Sequence, residues 1–171
     1  IGNYLADEIM VKAIPTDHPA FVSAEQEVDN RKKKLMSIQG KQTVESFHKR
    51  LGKIMWDKCG MARNAVGLQQ AIDEIRALKK EFWSDLRIPG KVEEMNPELD
   101  KANRVADFIE LGELMCIDAL NRNESCGGHF REESQTEEGE AKRDDVNFAY
   151  VSAWELKEEH QWELHKEMLD F

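Results

Sequence analysis

The fold of this chain is decided by residues 96–121, which read NPELDKANRVADFIELGELMCIDALN. The opening Asn96-Pro97-Glu98 supplies a side chain that caps a helix, a proline suited to the first helical position and an acidic first turn. Apolar residues then recur at the three- and four-residue spacing of a helix. The stripe is wide enough to predict a central helix packed on more than one side. The apolar residues are Leu99, Val105, Ala106, Phe108, Ile109, Leu111, Leu114, Met115 and Ala119.

Two more long helices are predicted just before this segment. Thr43 and Asn64 are residue types that cap helix N-termini, and each is followed by apolar residues at helical spacing. The first of these helices is predicted to end near Gly60. The second is broken by the sequence Arg87-Ile88-Pro89-Gly90.

The N-terminal end is predicted to contain a short helix over residues 1–13 and a longer one from Pro19 to near Gly40. Asp17 is the candidate N-cap of the longer helix, because Pro19 then falls in its first turn. The run Arg31-Lys32-Lys33-Lys34 is predicted to form a solvated basic face near the C-terminus of this helix. Contact with anionic lipid is the alternative for this run.

Beyond Asn121 the apolar spacing changes. Residues 148–154 are rich in strand-forming residues, residues 157–160 form a polar break, and residues 161–167 alternate between polar and apolar. This pattern predicts a β-hairpin. Because a lone hairpin is marginally stable in water, we expect it to dock on the helices or on another part of a larger protein.

The predicted fold is mainly α: an antiparallel three- to four-helix bundle, similar to a spectrin repeat, with a C-terminal loop and β-hairpin. With 171 residues, the chain is long enough for one domain with a core of its own. The predicted organisation is a short helix and linker over 1–18, a helical bundle over 19–121, and a loop with a hairpin tail over 122–171.

Composition excludes some classes of partner. The net charge is −10, whereas a nucleic-acid-binding domain needs clustered lysine and arginine, so no nucleic acid is expected as a partner. No apolar run reaches the ~20 residues of a membrane span. The three cysteines form no C-x-x-C pair, which favours a reducing, cytoplasmic compartment. Cys59 and Cys116 are predicted to be core residues and Cys126 to be exposed.

The loop after the central helix holds the main candidates for function. Residues 124–133 read ESCGGHFREE, and Arg143-Asp144-Asp145 closes the loop. The glycine pair allows a sharp turn or a close approach of another surface. His129 and Arg131 follow where the helix end presents polar groups. This mixture predicts a loop built to fit against another surface.

Catalytic chemistry is not predicted. Cys126 and His129 could act as nucleophile and base only with a third group to orient the histidine, and the sequence identifies none. A metal-dependent hydrolase using His129, His160 and His165 is a minor alternative, since the sequence contains no H-E-x-x-H motif. We therefore assign no catalytic, cofactor-binding or metal-binding residue.

The loop also resembles a known family. The pattern Arg122-x-Glu124-Ser125-x-Gly127-x-His129-x-Arg131, followed by Arg143-Asp144-Asp145-x-Asn147-Phe148, is similar to the C-terminal region of succinate dehydrogenase and fumarate reductase flavoprotein subunits. Residues 60–68 and 107–115 agree with the same family. Many members read Ser-Arg-Gly-Ala-His where this chain has Ser125-Cys126-Gly127-Gly128-His129. A quinone-linked bacterial branch is more similar at this position.

The resemblance implies a role for a parent protein. Such a parent interconverts succinate and fumarate through FAD, and passes electrons to an iron–sulfur subunit and on to quinone through a membrane anchor, cytochrome b. The flavin-binding and capping domains lie upstream in these proteins, and residues 1–18 would be what is left of that junction. The resemblance therefore implies a domain with no cofactor of its own, inactive alone, in a complex on the inner face of the cytoplasmic membrane.

The resemblance further implies that this region packs on the flavin-binding domain near the iron–sulfur subunit. We therefore expect a set of loop residues to hold contacts between domains or subunits. The set is Ser125, Gly127, Gly128, His129, Arg131, Arg143 and Asp144. In the alternative, His129 and Arg131 cap the preceding helix and pair with Asp144 or Asp145 inside the domain. For the whole chain, the alternative is a free-standing helical interaction module.

Overall fold

The computed structural model of this chain describes Gly2 and residues 15–170. The short helix predicted over residues 1–13 lies, apart from Gly2, outside these residues. The described part is mainly helical and ends in an antiparallel β-hairpin, which confirms the predicted fold class.

Four long helices and one single-turn helix make up most of the described chain. Their bounds are α1 Pro19–Ser37, α2 Val44–Lys58, α3 Ala65–Asp85, α4 Pro97–Asn121 and α5 Asp145–Phe148. Within residues 15–170, no helix combines the length and the apolar character needed to cross a membrane.

The predicted starts of α2, α3 and α4 are confirmed by side-chain caps. The side chains of Thr43, Asn64 and Asn96 each accept a hydrogen bond from the backbone amide three residues further on, at 3.2, 2.8 and 3.1 Å. Each cap satisfies one of the amides that have no partner inside the first turn of a helix.

The predicted cap of α1 is wrong. His18, and not Asp17, is the N-cap, and its Nδ1 accepts from the amide of Ala20 at 3.2 Å. The reason is that Pro19 occupies the first helical position, so the cap is the residue directly before it. Leu35 is the one buried residue of α1, and the apolar residues of its first half are exposed.

Helix α4 is central, as predicted, and packs against α1, α2 and α3. Its buried face includes Val105, Ile109 and Cys116, while Cys59 from the end of α2 completes the same core. The outer part of the predicted apolar stripe is not buried. Phe108, Leu111 and Met115 are about half exposed and line an open groove between α4 and α2.

Two pairs of two-residue strands join the ends of the helices, and the sequence did not predict them. β1 (Gln42–Thr43) pairs in parallel with β3 (Leu86–Arg87), and β2 (Ala62–Arg63) pairs in parallel with β4 (Phe130–Arg131). Strands of two residues have no alternating pattern that a sequence could reveal. The second pair holds the loop after α4 against the connection between α2 and α3.

The C-terminal hairpin docks on the bundle, as expected. β5 (Tyr150–Glu158) and β6 (Gln161–Met168) are antiparallel. The indole Nε1 of Trp154 donates to Asp118 of α4 at 2.7 Å. At the turn, His160 has φ +62° and its Nδ1 lies 2.8 Å from the carboxylate of Glu113. Glu113 is only 1% exposed and also accepts from Arg76 Nε at 2.8 Å, so both the turn and one strand are tied to α4.

Candidate functional site

The loop after α4 turns sharply at its glycine pair. Cys126 and His129 exchange two backbone hydrogen bonds, of 2.8 and 3.0 Å, around the two glycines. Gly127 has φ +57°, a conformation that favours glycine at the first central position of a two-residue turn. Apart from the chain neighbours, no atom of the described residues lies within 4 Å of where a Cβ on Gly127 or Gly128 would stand, so the turn projects away from the domain.

Ser125 joins the two sides of the loop from a fully buried position. Its hydroxyl accepts from the amide of Arg131 at 2.9 Å and donates to the carbonyl of the same residue at 3.2 Å. Its own amide donates to the carbonyl of Lys142 at 2.9 Å. The polar groups of Ser125 are therefore used to shape the loop from within.

His129 lies beneath the turn with both ring nitrogens engaged. Nε2–H donates to the carbonyl of Arg122 at 2.7 Å, which leaves Nδ1 to accept from Nη1 of Arg63 at 3.2 Å. Burial lowers the pKa of His129; the hydrogen bond to the Arg122 carbonyl opposes this, and the positive charges of Arg63, Arg131 and Arg122 add to the lowering. The imidazole is thus held neutral as a structural crosslink.

We expect the stability of the domain to depend on pH through His129. Its pKa is lowered on folding, so the unfolded chain binds a proton first. The stability supplied by the neutral ring is present above the ordinary value of about 6.5 and is lost as pH falls from there towards the folded-state pKa. Urea unfolding at pH values above and below about 6.5 should show this loss. His129→Gln should reduce it, whereas the control His48→Gln on α2 should retain it; equal pH dependence in both variants would contradict the assignment.

Arg131 caps the C-terminal end of α4. Its side chain is 3% exposed, and Nη1 donates to the carbonyls of Ala119 and Leu120 at 2.8 and 3.2 Å. Nε pairs with Glu133 at 3.1 Å. Helix C-terminal carbonyls have no partner within the helix, and here a buried guanidinium supplies one.

Arg143 and Asp144 lie in the segment that closes the loop, next to Glu124 and Ser125. Arg143 pairs with Asp145 at 2.6 Å, and its side chain is largely exposed. Asp144 caps the single-turn helix α5 by accepting from the amide of Asn147 at 3.2 Å. His129 and Arg131 therefore cap the helix end, as the alternative to the contact hypothesis predicts. Neither of them pairs with Asp144 or Asp145, so that part of the alternative is wrong.

A buried ion pair that the sequence did not single out connects the loop to the hairpin. Arg122 Nη1 donates to Glu124 at 2.7 Å, and Glu124 is only 3% exposed. The second carboxylate oxygen of Glu124 accepts from the amide of Asp144 at 2.9 Å. Arg122 also donates to the carbonyls of Phe148 and Tyr150, at 3.2 and 3.1 Å. One hydrogen-bond network therefore joins the end of α4, the loop and β5, and it supports the turn.

An exposed apolar surface adjoins the turn. Trp56 and Met61 are 83% and 89% exposed, although they are among the largest apolar side chains of the chain. With Arg63 and Gly128 they line a cavity of about 530 Å³. We call these four residues the tip surface. Within the described residues Arg63 forms no salt bridge, and the hydrogen bonds of its guanidinium go to the Gly60 carbonyl and to His129.

The structure brings together neither the Cys126–His129 nucleophile pair nor the histidine metal site. His129 uses both ring nitrogens on Arg122 and Arg63, so neither is left for Cys126. Cys126 is partly exposed, while Cys59 and Cys116 are buried as predicted. In residues 15–170 the only group of three potential metal ligands within mutual reach is Glu155, Glu163 and His165. His129 and His160 lie outside that group, and Lys157 already bridges the two glutamates.

A family model described as "Fumarate reductase flavoprotein C-term" matches residues 48–171. The chain belongs to this family. The match takes in α2 from His48 onwards, the whole of α3 and α4, the loop, the tip surface and the hairpin, whereas α1 lies outside it. The resemblance read from the loop is therefore confirmed.

Individual fumarate reductase flavoproteins are similar over most of this chain. The fumarate reductase flavoprotein subunit of Proteus vulgaris is 29% identical over 137 residues, which are 80% of this chain and 22% of that protein. The chain thus spans about a fifth of the length of the curated relative. Among solved structures, a quinol-fumarate reductase with menaquinol molecules has a TM-score of 0.77 at 24% identity and covers 94% of this chain and 27% of that one. The Mycobacterium smegmatis Sdh1 structure in complex with UQ1 has a TM-score of 0.73 at 21% identity, covering 95% of this chain and 26% of that one, so the fold is shared.

For this flavoprotein C-terminal domain, the structure separates the expected site residues into two groups. Ser125, His129 and Arg131 meet at the end of α4 and make their observed contacts within the domain. Gly127 and Gly128 at the turn and Arg143 after it are exposed, and Asp144 is partly exposed. Trp56, Met61 and Arg63, which complete the tip surface, come from a distant part of the sequence. Met61 and Arg63 lie in the stretch 60–68 that resembles the family, but no sequence pattern marks the exposure of these three side chains.

Proposed function

We propose that this chain is the C-terminal docking domain of a flavoprotein subunit that interconverts succinate and fumarate. In this proposal FAD is bound by a flavin-binding domain of the same subunit, to which residues 1–18 lead, and the chain itself supplies no catalytic residue. Electrons pass to an iron–sulfur subunit and then to a membrane anchor, so the complex lies on the inner face of the cytoplasmic membrane. Membership of the fumarate reductase flavoprotein C-terminal family supports this role.

The single observation that carries the proposal is the tip surface. Trp56 and Met61 are almost fully exposed beside a glycine turn that projects from the domain. Tryptophan and methionine are enriched at protein interfaces, and exposed apolar patches mark interaction sites. The absence of a β-carbon on Gly127 and Gly128 lets another backbone approach closely.

We further propose that the seven loop residues contribute in two ways. Gly127 and Gly128 touch the partner directly, and Arg143 and Asp144 border the contact from the segment that closes the loop. Ser125, His129 and Arg131 act from within, because their hydrogen bonds fix the turn in one shape. A turn that is already ordered loses less conformational entropy on binding.

The proposal is tested by placing a charge on the tip surface. We expect Trp56→Glu with Gly128→Glu, made in the full-length flavoprotein subunit, to reduce co-purification of the iron–sulfur subunit about tenfold or more, since a buried interface tryptophan is worth about 2 kcal/mol. Neither change should lower the melting temperature of the isolated domain, because Trp56 is 83% exposed and Gly128 has open space around it. The control is Met95→Glu, which adds one negative charge at a residue that is 98% exposed before α4.

The outcomes also identify the partner. Loss of the iron–sulfur subunit with FAD retained places the contact between subunits. Loss of FAD places it on the flavin-binding domain of the same subunit. If the double variant keeps both and oxidises succinate at the wild-type rate, the docking role is wrong.

A further inference from the structure

A second cavity, remote from the loop, is lined by an excess of basic side chains. It has a volume of about 620 Å³ and lies between α1, α3 and α4, with the hairpin turn at one edge. Four cationic side chains and one tryptophan line it together with two glutamates. They are Arg31, Lys34, Lys79, Lys80, Trp83, Glu110 and Glu159. A basic cleft is unusual on a chain whose net charge is −10.

The charges in this cleft do not balance. Lys79 lies 4.0 Å from Glu110 and 3.6 Å from Glu159, so this one lysine is the salt-bridge partner of both glutamates. Arg31 pairs with Asp107. Within the described residues, Lys34 and Lys80 form no salt bridge with any carboxylate. Counting Asp107, the cleft holds four positive and three negative groups, a net charge of +1, and the two cations without a salt bridge are Lys34 of α1 and Lys80 of α3.

Two further features point to a missing acceptor. Arg31 Nε is buried and has no hydrogen-bond partner in residues 15–170, although buried donors are nearly always paired. Its Nη2 is already used by the carbonyl of Asn103 at 3.1 Å and by Asp107. Lys34 Nζ lies 4.5 Å above the ring of Trp83, which holds the ammonium at the cleft without neutralising it.

We propose that this cleft binds a phosphoryl group. A phosphate brings several acceptor oxygens and more than one negative charge, so it would pair with Lys34 and Lys80 together. Arg31 Nε is closed to solvent in this conformation and would reach the phosphate only if its side chain turns towards the cleft. The basic run of residues 31–34 is therefore divided by function. Arg31 and Lys34 line the cleft, whereas Lys33 does not and Lys32 pairs with Asp29 on the surface of α1. This binding is independent of the docking role proposed above.

The test uses the isolated chain and inorganic pyrophosphate at constant ionic strength. Binding is followed by NMR through the indole N–H of Trp83, which is assigned with Trp83→Phe. We expect a saturable shift of this signal. The double variant Lys34→Ala, Lys80→Ala should bind more weakly, with a dissociation constant about tenfold higher or more. The matched control, Lys33→Ala with Lys49→Ala, removes the same charge from exposed positions outside the cleft and should bind as the wild type does.

A second arm distinguishes the source of the phosphoryl group. Sedimentation is measured with phosphatidylcholine vesicles that contain or lack phosphatidylglycerol. Vesicle binding that is lost in the Lys34/Lys80 variant identifies a lipid headgroup, and pyrophosphate binding alone identifies a soluble phosphate. The proposal is overturned if the Trp83 signal does not saturate and no vesicles bind, or if both double variants lose affinity equally. Binding of a poly-glutamate peptide in place of pyrophosphate would overturn it in favour of an acidic protein segment.

Discussion

Replacing Arg131 with alanine is expected to destabilise the domain by about 3 kcal/mol, because two buried carbonyls lose their donor at about 1–3 kcal/mol each. The carbonyls of Ala119 and Leu120 end α4, and the guanidinium that serves them is 3% exposed. Water cannot take its place without opening the loop. Urea unfolding followed by far-ultraviolet circular dichroism measures the change.

The control for this prediction is Arg143→Ala. Arg143 also pairs with a neighbouring carboxylate, that of Asp145, but its side chain is 60% exposed. Ion pairs between exposed side chains contribute little because water and salt screen them, so this change should have little effect on the free energy of unfolding. If the two arginine variants are equally stable, Arg131 is not the cap that the geometry indicates.

Gly40→Ala is expected to cost a similar amount, about 3 kcal/mol, through overpacking. A Cβ on Gly40 would stand 1.9 Å from the carbonyl carbon and 2.0 Å from the carbonyl oxygen of Asp85. Both are backbone atoms, so no side-chain rotation relieves the clash and β1 must move away from β3. That movement breaks the hydrogen bond from the amide of Gly40 to the carbonyl of Leu86, which is 3.0 Å long. Thermal and urea unfolding would report the loss.

Gly52→Ala is the control, and it is expected to change the free energy of unfolding in the opposite direction. Gly52 lies in the middle of α2, and apart from the helix's own neighbouring backbone no atom of the described residues lies within 4 Å of its Cβ position. Alanine has the higher helix propensity, so this variant should be more stable by about 0.5–1 kcal/mol. A stabilising effect at both glycines would mean that β1 and β3 are not in close contact.

The sequence was sufficient for the features that depend on neighbouring residues. Thr43, Asn64 and Asn96 were predicted as caps because each acts on an amide three residues away. Gly40 was predicted as the end of α1, but that helix ends at Ser37. A glycine is needed at position 40 because the backbone there lies against the backbone of Asp85.

Features built from distant residues could not be predicted in this way. Trp56 and Gly128 share a cavity across more than seventy positions of sequence, and their exposure depends on how α2 meets the loop. Arg122 and Glu124 were visible within the family pattern, but their burial depends on the docked hairpin. Nothing in the amino-acid sequence distinguishes a buried ion pair from an exposed one.

The carboxylate of Glu113 has a consequence for how the domain opens. It is held between Arg76 of α3 and His160 of the hairpin turn, while Trp154 is tied to Asp118 on the same helix. Lifting the hairpin would leave a buried carboxylate short of a partner, so partial detachment is unfavourable. The hairpin and α4 should therefore behave as one cooperative unit in native-state hydrogen exchange, and the C-terminal strands should not open separately before the bundle.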